Sequence, residues 1–259
     1  MISEIMRPSS FAMAILHGSA AQRRQIALAM LAECKKPGRA GVLAAVNTLN
    51  AFGQDAQPSI LRAMWAAGLS REAWATALLV TWVTSSSSRV IKAAGDNGTL
   101  KAWFDYAQLT NPPPFLRHVC VASDELPERI RLYRGGTRDP VALGGGLSWS
   151  RHRGTAAWYV LRRVRELGGK PIVVRAMVRC DQIAMVTRNT ESEWVAFDVA
   201  GAELVPTSAS MLRKLADKAD ARAAQPHEQA RLQLSLDDEA GWCGWAGETV
   251  DAELEANIC

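Results

Sequence analysis

Three consecutive prolines, Pro112, Pro113 and Pro114, follow Asn111 and divide this chain into two stretches of different texture. Each proline lacks a backbone donor and fixes φ near about −65°, so no helix runs through them. The sequence before them reads as helix, and the sequence after them reads as short strands around one helix. The division gives a helical segment over 1–115, a core over 116–206, and a closing helix with an acidic tail over 207–259.

Upstream, Ser19 followed by Gln22 has the form of a capping box. The helix it opens is expected to stop after Cys34, at Lys35, Lys36, Pro37 and Gly38, which are cations followed by breakers. Val42, Val46, Leu49 and Phe52 recur at three- and four-residue spacing and predict a second amphipathic helix. Trp65, Trp74, Leu78, Leu79 and Trp82 predict further helices with aromatic inner faces, and Leu100, Trp103, Phe104 and Leu109 one more. These tryptophans are expected to pack a core rather than form a ligand platform. The run from Ser85 to Ser88 is polar, and Asp96, Asn97 and Gly98 read as a turn.

Downstream, the residues from Ile130 to Arg134 alternate apolar and polar as a half-buried strand does, then break at Gly135 and Gly136. Gly144, Gly145 and Gly146 lead into a strand from Leu147 to Ser150. A helix is expected from Thr155 to Leu167, strands from Pro171 to Val178, Gln182 to Val186 and Trp194 to Phe197, and a closing helix from Ser208 to about Arg222. Short strands around a single helix indicate an α+β fold rather than a parallel βαβ array.

The bulk numbers exclude little. With 259 residues, 48% hydrophobic and 22% charged, the chain has ordinary globular composition. A formal net charge of +4 permits an acidic or nucleic-acid partner without arguing for one, because no long Lys/Arg run concentrates it. The five cysteines (Cys34, Cys120, Cys180, Cys243 and Cys259) are odd in number and scattered, and are expected to be single thiols in a reducing cytosol. The apolar patch from Phe11 to Leu16 is too short for a signal h-region. No run of about 18 apolar residues occurs, so no membrane partner is expected and the expected location is the cytoplasm. The tail from Leu234 onward is acidic, and Trp242 and Trp245 suggest that part of it docks.

Three short elements carry chemistry. The first is Arg134 on a strand followed by Gly135: a guanidinium fork holds phosphate bidentately, and a glycine lets a dinucleotide approach the backbone. The second is Ser148, Trp149 and Ser150, which puts two hydroxyls on one face of a strand. The third is Glu191 and Glu193, two carboxylates on one face of an extended segment, where like charges side by side cost energy. Taken singly, these are also what a surface arginine before a turn, an edge strand and a solvated turn look like.

In this order, each at a strand, they resemble the arginine–serine–glutamate (cholera-toxin-like) branch of the ADP-ribosyltransferase superfamily. The resemblance spans about Arg131 to Val199, on the order of 70 to 90 residues carried by short motifs. It implies that the core following the helical N-terminal segment is a split β-sheet that binds NAD without a Rossmann fingerprint; the helical segment itself lies outside the resemblance. Arg134 would contact the NAD phosphates and ribose. Ser148 and Ser150 would shape the nicotinamide pocket, with Ser148 hydrogen-bonding the catalytic Glu193. Tyr159 or Trp158 on the following helix would form a pocket wall, and Glu191 would face the acceptor. The family's usual central Thr is Trp149 here, whose ring would flank the nicotinamide or narrow the pocket.

The expected activity is mono-ADP-ribosyl transfer from NAD to a macromolecule with release of nicotinamide. A protein arginine is the leading acceptor, ahead of nucleic acid. Cleaving the nicotinamide–ribose bond passes through an oxocarbenium-like species, which a fixed carboxylate at Glu193 would stabilise as the bond breaks. Nicotinamide leaves from a cationic precursor, so no general acid is needed. A bacterial or phage effector or toxin, with a regulator or antitoxin as a further partner, fits the same pattern.

Other readings stay open. Ser148 with His152 would be the start of a hydrolase, although no nucleophile elbow surrounds the serine. Gly144 to Gly146 lack the following Lys-Ser/Thr of a P-loop and read as a flexible turn. A non-catalytic helical binding module on a degenerate NAD-fold would use Arg151, Arg153, Arg162, Arg163 and Arg165 toward nucleic acid or an acidic protein.

Overall fold

The computed structural model describes residues 19–52, 54–137, 139–188 and 193–223. Glu191, the apolar patch from Phe11 to Leu16, Cys243, Cys259 and the tail tryptophans Trp242 and Trp245 lie outside the described residues. The chain divides into two compact units, Met1–Ala107 and Gln108–Cys259. Among the described residues, helices and an antiparallel six-stranded sheet coexist, which is an α+β fold.

The first unit is helical. Its elements are α1 (Ala20–Cys34), α2 (Gly38–Phe52), α3 (Gln57–Ala67), α4 (Arg71–Thr84), α5 (Ser87–Ala94) and α6 (Asn97–Ala107). The three- and four-residue spacing in α2 buries Val42, Val46 and Leu49 as expected. Helix α4 goes further than its aromatic stripe suggests, because every residue from Ala73 to Trp82 is buried. Small residues between the large ones (Ala73, Ala75, Thr76, Ala77) let α2, α3 and α6 approach from several sides. Ser70 opens α4 by accepting from the Ala73 amide at 3.3 Å. Trp74, Trp82 and Trp103 are at most 2% exposed and form core.

The serine run ends one helix and begins the next: Ser85 follows α4, and Ser87 and Ser88 start α5. Asn97 and Gly98, read from sequence as a turn, are the first turn of α6. Asp96 makes this possible by accepting from the Thr99 amide and hydroxyl, both at 2.8 Å. Those two bonds, the amide first, hold the Asp96 carboxyl below its usual range. The folded-state value is the lower one, so this stabilisation is present above about pH 4 and is lost as pH falls through the folded value. Asp96→Asn keeps a capping oxygen that does not titrate. We expect its helicity, followed by circular dichroism on acidification, to fall less steeply below about pH 4 than that of the wild type. Identical acid profiles would remove Asp96 from the account.

Helix α6 ends before the prolines are reached, because Gln108 takes a left-handed φ of 49°. In the second unit, a 3₁₀ turn (Pro114–Leu116) and another (Ser123–Glu125) precede β1 (Arg129–Gly136). There follow α7 (Pro140–Gly144), β2 (Ser148–Ser150), α8 (Arg153–Leu167), β3 (Ile172–Arg179), β4 (Ile183–Val186), β5 (Glu193–Ala196), β6 (Glu203–Leu204) and α9 (Ala209–Ala223). The short helix α7 and the two-residue β6 carry no periodic signal long enough to be read from sequence.

The strand order is β4-β5-β2-β1-β3-β6, with every neighbour antiparallel. Pairing along β1 and β3 is continuous from Arg129↔Arg179 to Gly136↔Ile172. By contrast, β1 meets β2 through a single pair, Tyr133↔Ser150. The sheet therefore has two parts, β4-β5-β2 and β1-β3-β6, joined at one point, beyond which β1 and β2 part company. Leu132, Trp149, Val174, Ala176, Trp194 and Ala196 share one apolar cluster, while Ala156, Ala157 and Val160 of α8 pack with Val173 in another. Helix α9 lies on α8.

Among the described residues, no helix is long and apolar enough to cross a membrane. Cys34 and Cys180 are free thiols, and burial pushes the Cys34 thiol up.

Candidate active site

The point where β1 and β2 separate brings together three of the residues singled out from sequence, Arg134, Ser148 and Glu193. Arg134 is the first β1 residue past the Tyr133↔Ser150 pair, and its Nη1 donates to the Ser148 carbonyl oxygen. A side chain thus occupies the ladder position that a backbone amide of a continuous sheet would fill. On the other side of the same residue, Ser148 Oγ donates to Glu193 Oε1 at 2.5 Å. Glu193 starts β5 and lies opposite Ser150 in the β2–β5 register. Ser148 consequently joins a guanidinium to a carboxylate, its carbonyl taking one and its hydroxyl the other. All three residues are half-buried, where charge–charge and charge–dipole interactions are stronger than in bulk water.

Glycine chemistry lets this cluster form. A Cβ on Gly146 would lie 2.2 Å from Arg134 Cζ and 2.3 Å from its Nη2, so the guanidinium rests directly on the Gly146 backbone. The carbonyl of Gly146 is held from behind by Trp149 Nε1 at 2.8 Å. The triple glycine is therefore a packed platform at Gly146, which the reading as a flexible turn missed. At Gly135, a Cβ would meet the Ala156 carbonyl oxygen at 2.0 Å. The missing side chain there admits α8 against β1, whereas the sequence reading reserved that space for a dinucleotide.

Three other expected site residues are placed differently from one another. Ser150 is 5% exposed, and its hydroxyl accepts from the His152 amide at 3.0 Å, shaping the entry to α8. Trp149 is 2% exposed within the apolar cluster, so its ring packs the core and does not stand as an open wall. This follows from strand alternation, which sends the middle residue of a Ser-x-Ser strand to the face opposite the hydroxyls. Tyr159 is 45% exposed on the outer side of α8 and meets Trp158 edge to face, with ring centroids 4.9 Å apart.

The Ser148 hydroxyl donates to Glu193 and not to His152. The arginines of α8 are partly engaged. Arg153 donates to the Pro206 carbonyl and the Thr207 hydroxyl, and Arg162 pairs with Glu166 at 3.2 Å and sits over the Trp158 ring. Among the described residues, no group of three or more His, Cys, Asp or Glu is arranged to hold a metal ion. A cavity of about 280 Å³, lined by Arg131, Arg175, Met177 and Glu203 among others, lies apart from the three clustered residues.

Sequence reasoning missed Thr187, which bonds Glu193, and its chain neighbour Arg188. Thr187 and Glu193 bond each other at both backbone and side chain, and Arg188 reaches back to the segment before β1. A β-branched residue ending a strand was the only local signal, and it does not distinguish a clamp from ordinary strand composition. No protein-family model matches this chain, and no curated protein or solved structure matches it.

Proposed function

We propose that this chain is an NAD-dependent mono-ADP-ribosyltransferase that modifies a macromolecule and releases nicotinamide. The observation that carries the proposal is the Ser148 hydroxyl bonded to the Glu193 carboxylate, with Arg134 bonded to the same serine. A carboxylate whose direction is set by a neighbouring hydroxyl is the group needed beside an anomeric carbon that gains positive charge. Glu193 would bind the ribose 2′-hydroxyl and stabilise the oxocarbenium-like transition state as the nicotinamide–ribose bond breaks. Nicotinamide would leave as a neutral base with the bonding electron pair. The acceptor nucleophile would then bond to the anomeric carbon and lose its proton to Glu191 or to water.

Arg134 is the cation proposed to meet the NAD phosphates and ribose. Ser148 is the residue that aims Glu193, and Ser150 supports the wall formed where β2 enters α8. A protein arginine remains the proposed acceptor, with Glu191 as the carboxylate facing it. We further propose a cytoplasmic site of action and regulation by a partner such as an antitoxin. The N-terminal helices are the proposed target-selecting part.

The direct test is incubation of the purified chain with NAD, measuring free nicotinamide, followed by labelled NAD in a cell lysate. Release together with label in a protein band supports the reading, and hydroxylamine sensitivity of the label would separate arginine from other acceptors. Absence of release, with NAD failing to raise thermal stability, would overturn it.

Gly146→Ala provides a narrower check. The added methyl overlaps the Arg134 guanidinium, which must move off its platform. Misplacement on the ångström scale costs up to about a hundredfold in rate, so nicotinamide release is expected to fall roughly ten- to a hundredfold. Gly145→Ala is the control, since its φ is −69° and a Cβ there meets only the Ala142 carbonyl oxygen at 3.8 Å. Equal rates in both variants would show that Arg134's seat on Gly146 is irrelevant to the reaction.

A further inference from the structure

We propose that Thr187 is a positioning residue for Glu193, acting within a clamp that Arg188 anchors to the segment before β1. The inference rests on the reading of Glu193 as the catalytic carboxylate.

Glu193 opens β5, immediately after the connection that returns from β4, where a strand end has least support from its ladder. Thr187 supplies that support twice. Its amide donates to the Glu193 carbonyl at 3.0 Å, and its Oγ1 accepts from the Glu193 amide at 3.0 Å. The pair directly follows Val186↔Trp194, the last ladder pair of β4 and β5. A side-chain oxygen thus takes the Glu193 amide, and Thr187 is only 1% exposed. Losing that acceptor would weaken the hold on the part-buried Glu193 amide.

The β4 side of the pair is itself fixed from outside the hairpin. Thr187 bridges Cys120, the Val121 amide donates to the Val186 carbonyl at 2.9 Å, and the Arg188 amide donates to Val119 at 2.7 Å. The Arg188 Nε donates to the carbonyls of Arg117 at 2.8 Å and Cys120 at 3.2 Å, while Nη2 pairs with Glu125. Glu125 is in turn fixed by the Ala122 amide at 3.2 Å. The segment from Arg117 to Glu125 therefore holds β4, and β4 holds the backbone of Glu193 through one threonine. From there the chain of support passes to the carboxylate and to Ser148. The arrangement explains why a strand as short as β5 can present a charged side chain in one direction.

The test compares Thr187→Val, which keeps shape but removes the acceptor, with Thr187→Ser, which keeps the acceptor. Thr187→Val is expected to lower kcat for nicotinamide release roughly ten- to a hundredfold, as misorientation of a reacting group does. The KM for NAD is expected to move by less than about twofold, since a loss confined to the transition state leaves ground-state binding alone. Thr187→Ser should stay near wild type. In a Glu193→Gln background Thr187→Val should have no further effect, because positioning through a carboxylate has nothing left to position. A wild-type kcat in Thr187→Val, an equal loss in Thr187→Ser, or the same fold-loss in the Glu193→Gln background would each overturn the proposal.

Hydrogen exchange of the Glu193 amide gives a readout that needs no activity. Faster exchange in Thr187→Val, with slow exchange retained in Thr187→Ser, supports the clamp even where the wild type releases no nicotinamide and the enzymatic reading has failed. Unchanged exchange in Thr187→Val overturns it. If Thr187→Val does not fold, Arg188→Lys takes its place, since lysine keeps the charge but cannot reach two carbonyls and a carboxylate with one planar group. Arg188→Lys is then expected to lose kcat and Glu193 amide protection together, and retention of both overturns the proposal.

Discussion

Glu193→Gln is expected to reduce nicotinamide release by roughly a hundred- to a thousandfold, the loss typical of removing one preorganised electrostatic partner of a transition state. The substitution is close to isosteric. Its amide oxygen can still accept from the Ser148 hydroxyl, which in the wild type donates to the carboxylate at 2.5 Å. Its backbone can still pair with Thr187. What disappears is the full negative charge. A positive charge that exists only as the glycosidic bond breaks interacts with that charge in the transition state and not before, so the loss should fall on kcat more than on KM. NAD-induced thermal stabilisation should survive, because Arg134 and Ser148 remain. Melting without NAD should stay close to wild type. A variant that releases nicotinamide at the wild-type rate would show that the Ser148–Glu193 pair is structural, and the enzymatic reading would go with it.

The parts of this arrangement that could be read from sequence are those written within a few residues. Period-two alternation located β1, and three- and four-residue spacing located α2, because each pattern reports one buried face. The order of Arg134, Ser148 and Glu193 could be read as a motif, and the structure brings these three together. The misread parts depend on partners far along the chain. Gly146 looks like a hinge until Arg134, twelve positions earlier, is laid upon it. Thr187 and Arg188 look like the end of a strand until segment 117–125 is brought beside them. Asn97 and Gly98 are poor helix formers, yet the two bonds from Thr99 to Asp96 turn them into a helix start. Trp149 takes the place of the family's usual central Thr, yet alternation along β2 sends its ring into the apolar cluster.

Trp74→Ala is expected to destabilise the helical unit by about 3–5 kcal/mol, the usual cost of truncating a buried tryptophan. Trp74 is 1% exposed in the first turn of α4. Its ring centroid lies 4.9 Å from that of Trp65 and 5.4 Å from that of Trp103, the latter edge to face. Its Nε1 donates to the Trp103 carbonyl at 2.9 Å, joining α4 to α6. Removing the ring opens a cavity that rigid helix backbones cannot close, and it removes that cross-helix bond as well. In a unit of about 100 residues each kcal/mol moves the melting point by about 4–8 °C, so the shift would be large in calorimetry or circular dichroism. Trp74→Phe keeps most of the apolar bulk and should lose far less, leaving the indole hydrogen bond as its main deficit. The comparison also decides between two roles for the tryptophan stripe. A ligand platform must leave its rings accessible, and truncating one would change binding while costing little stability. A loss below about 1 kcal/mol in Trp74→Ala would therefore count against the core role and reopen the platform.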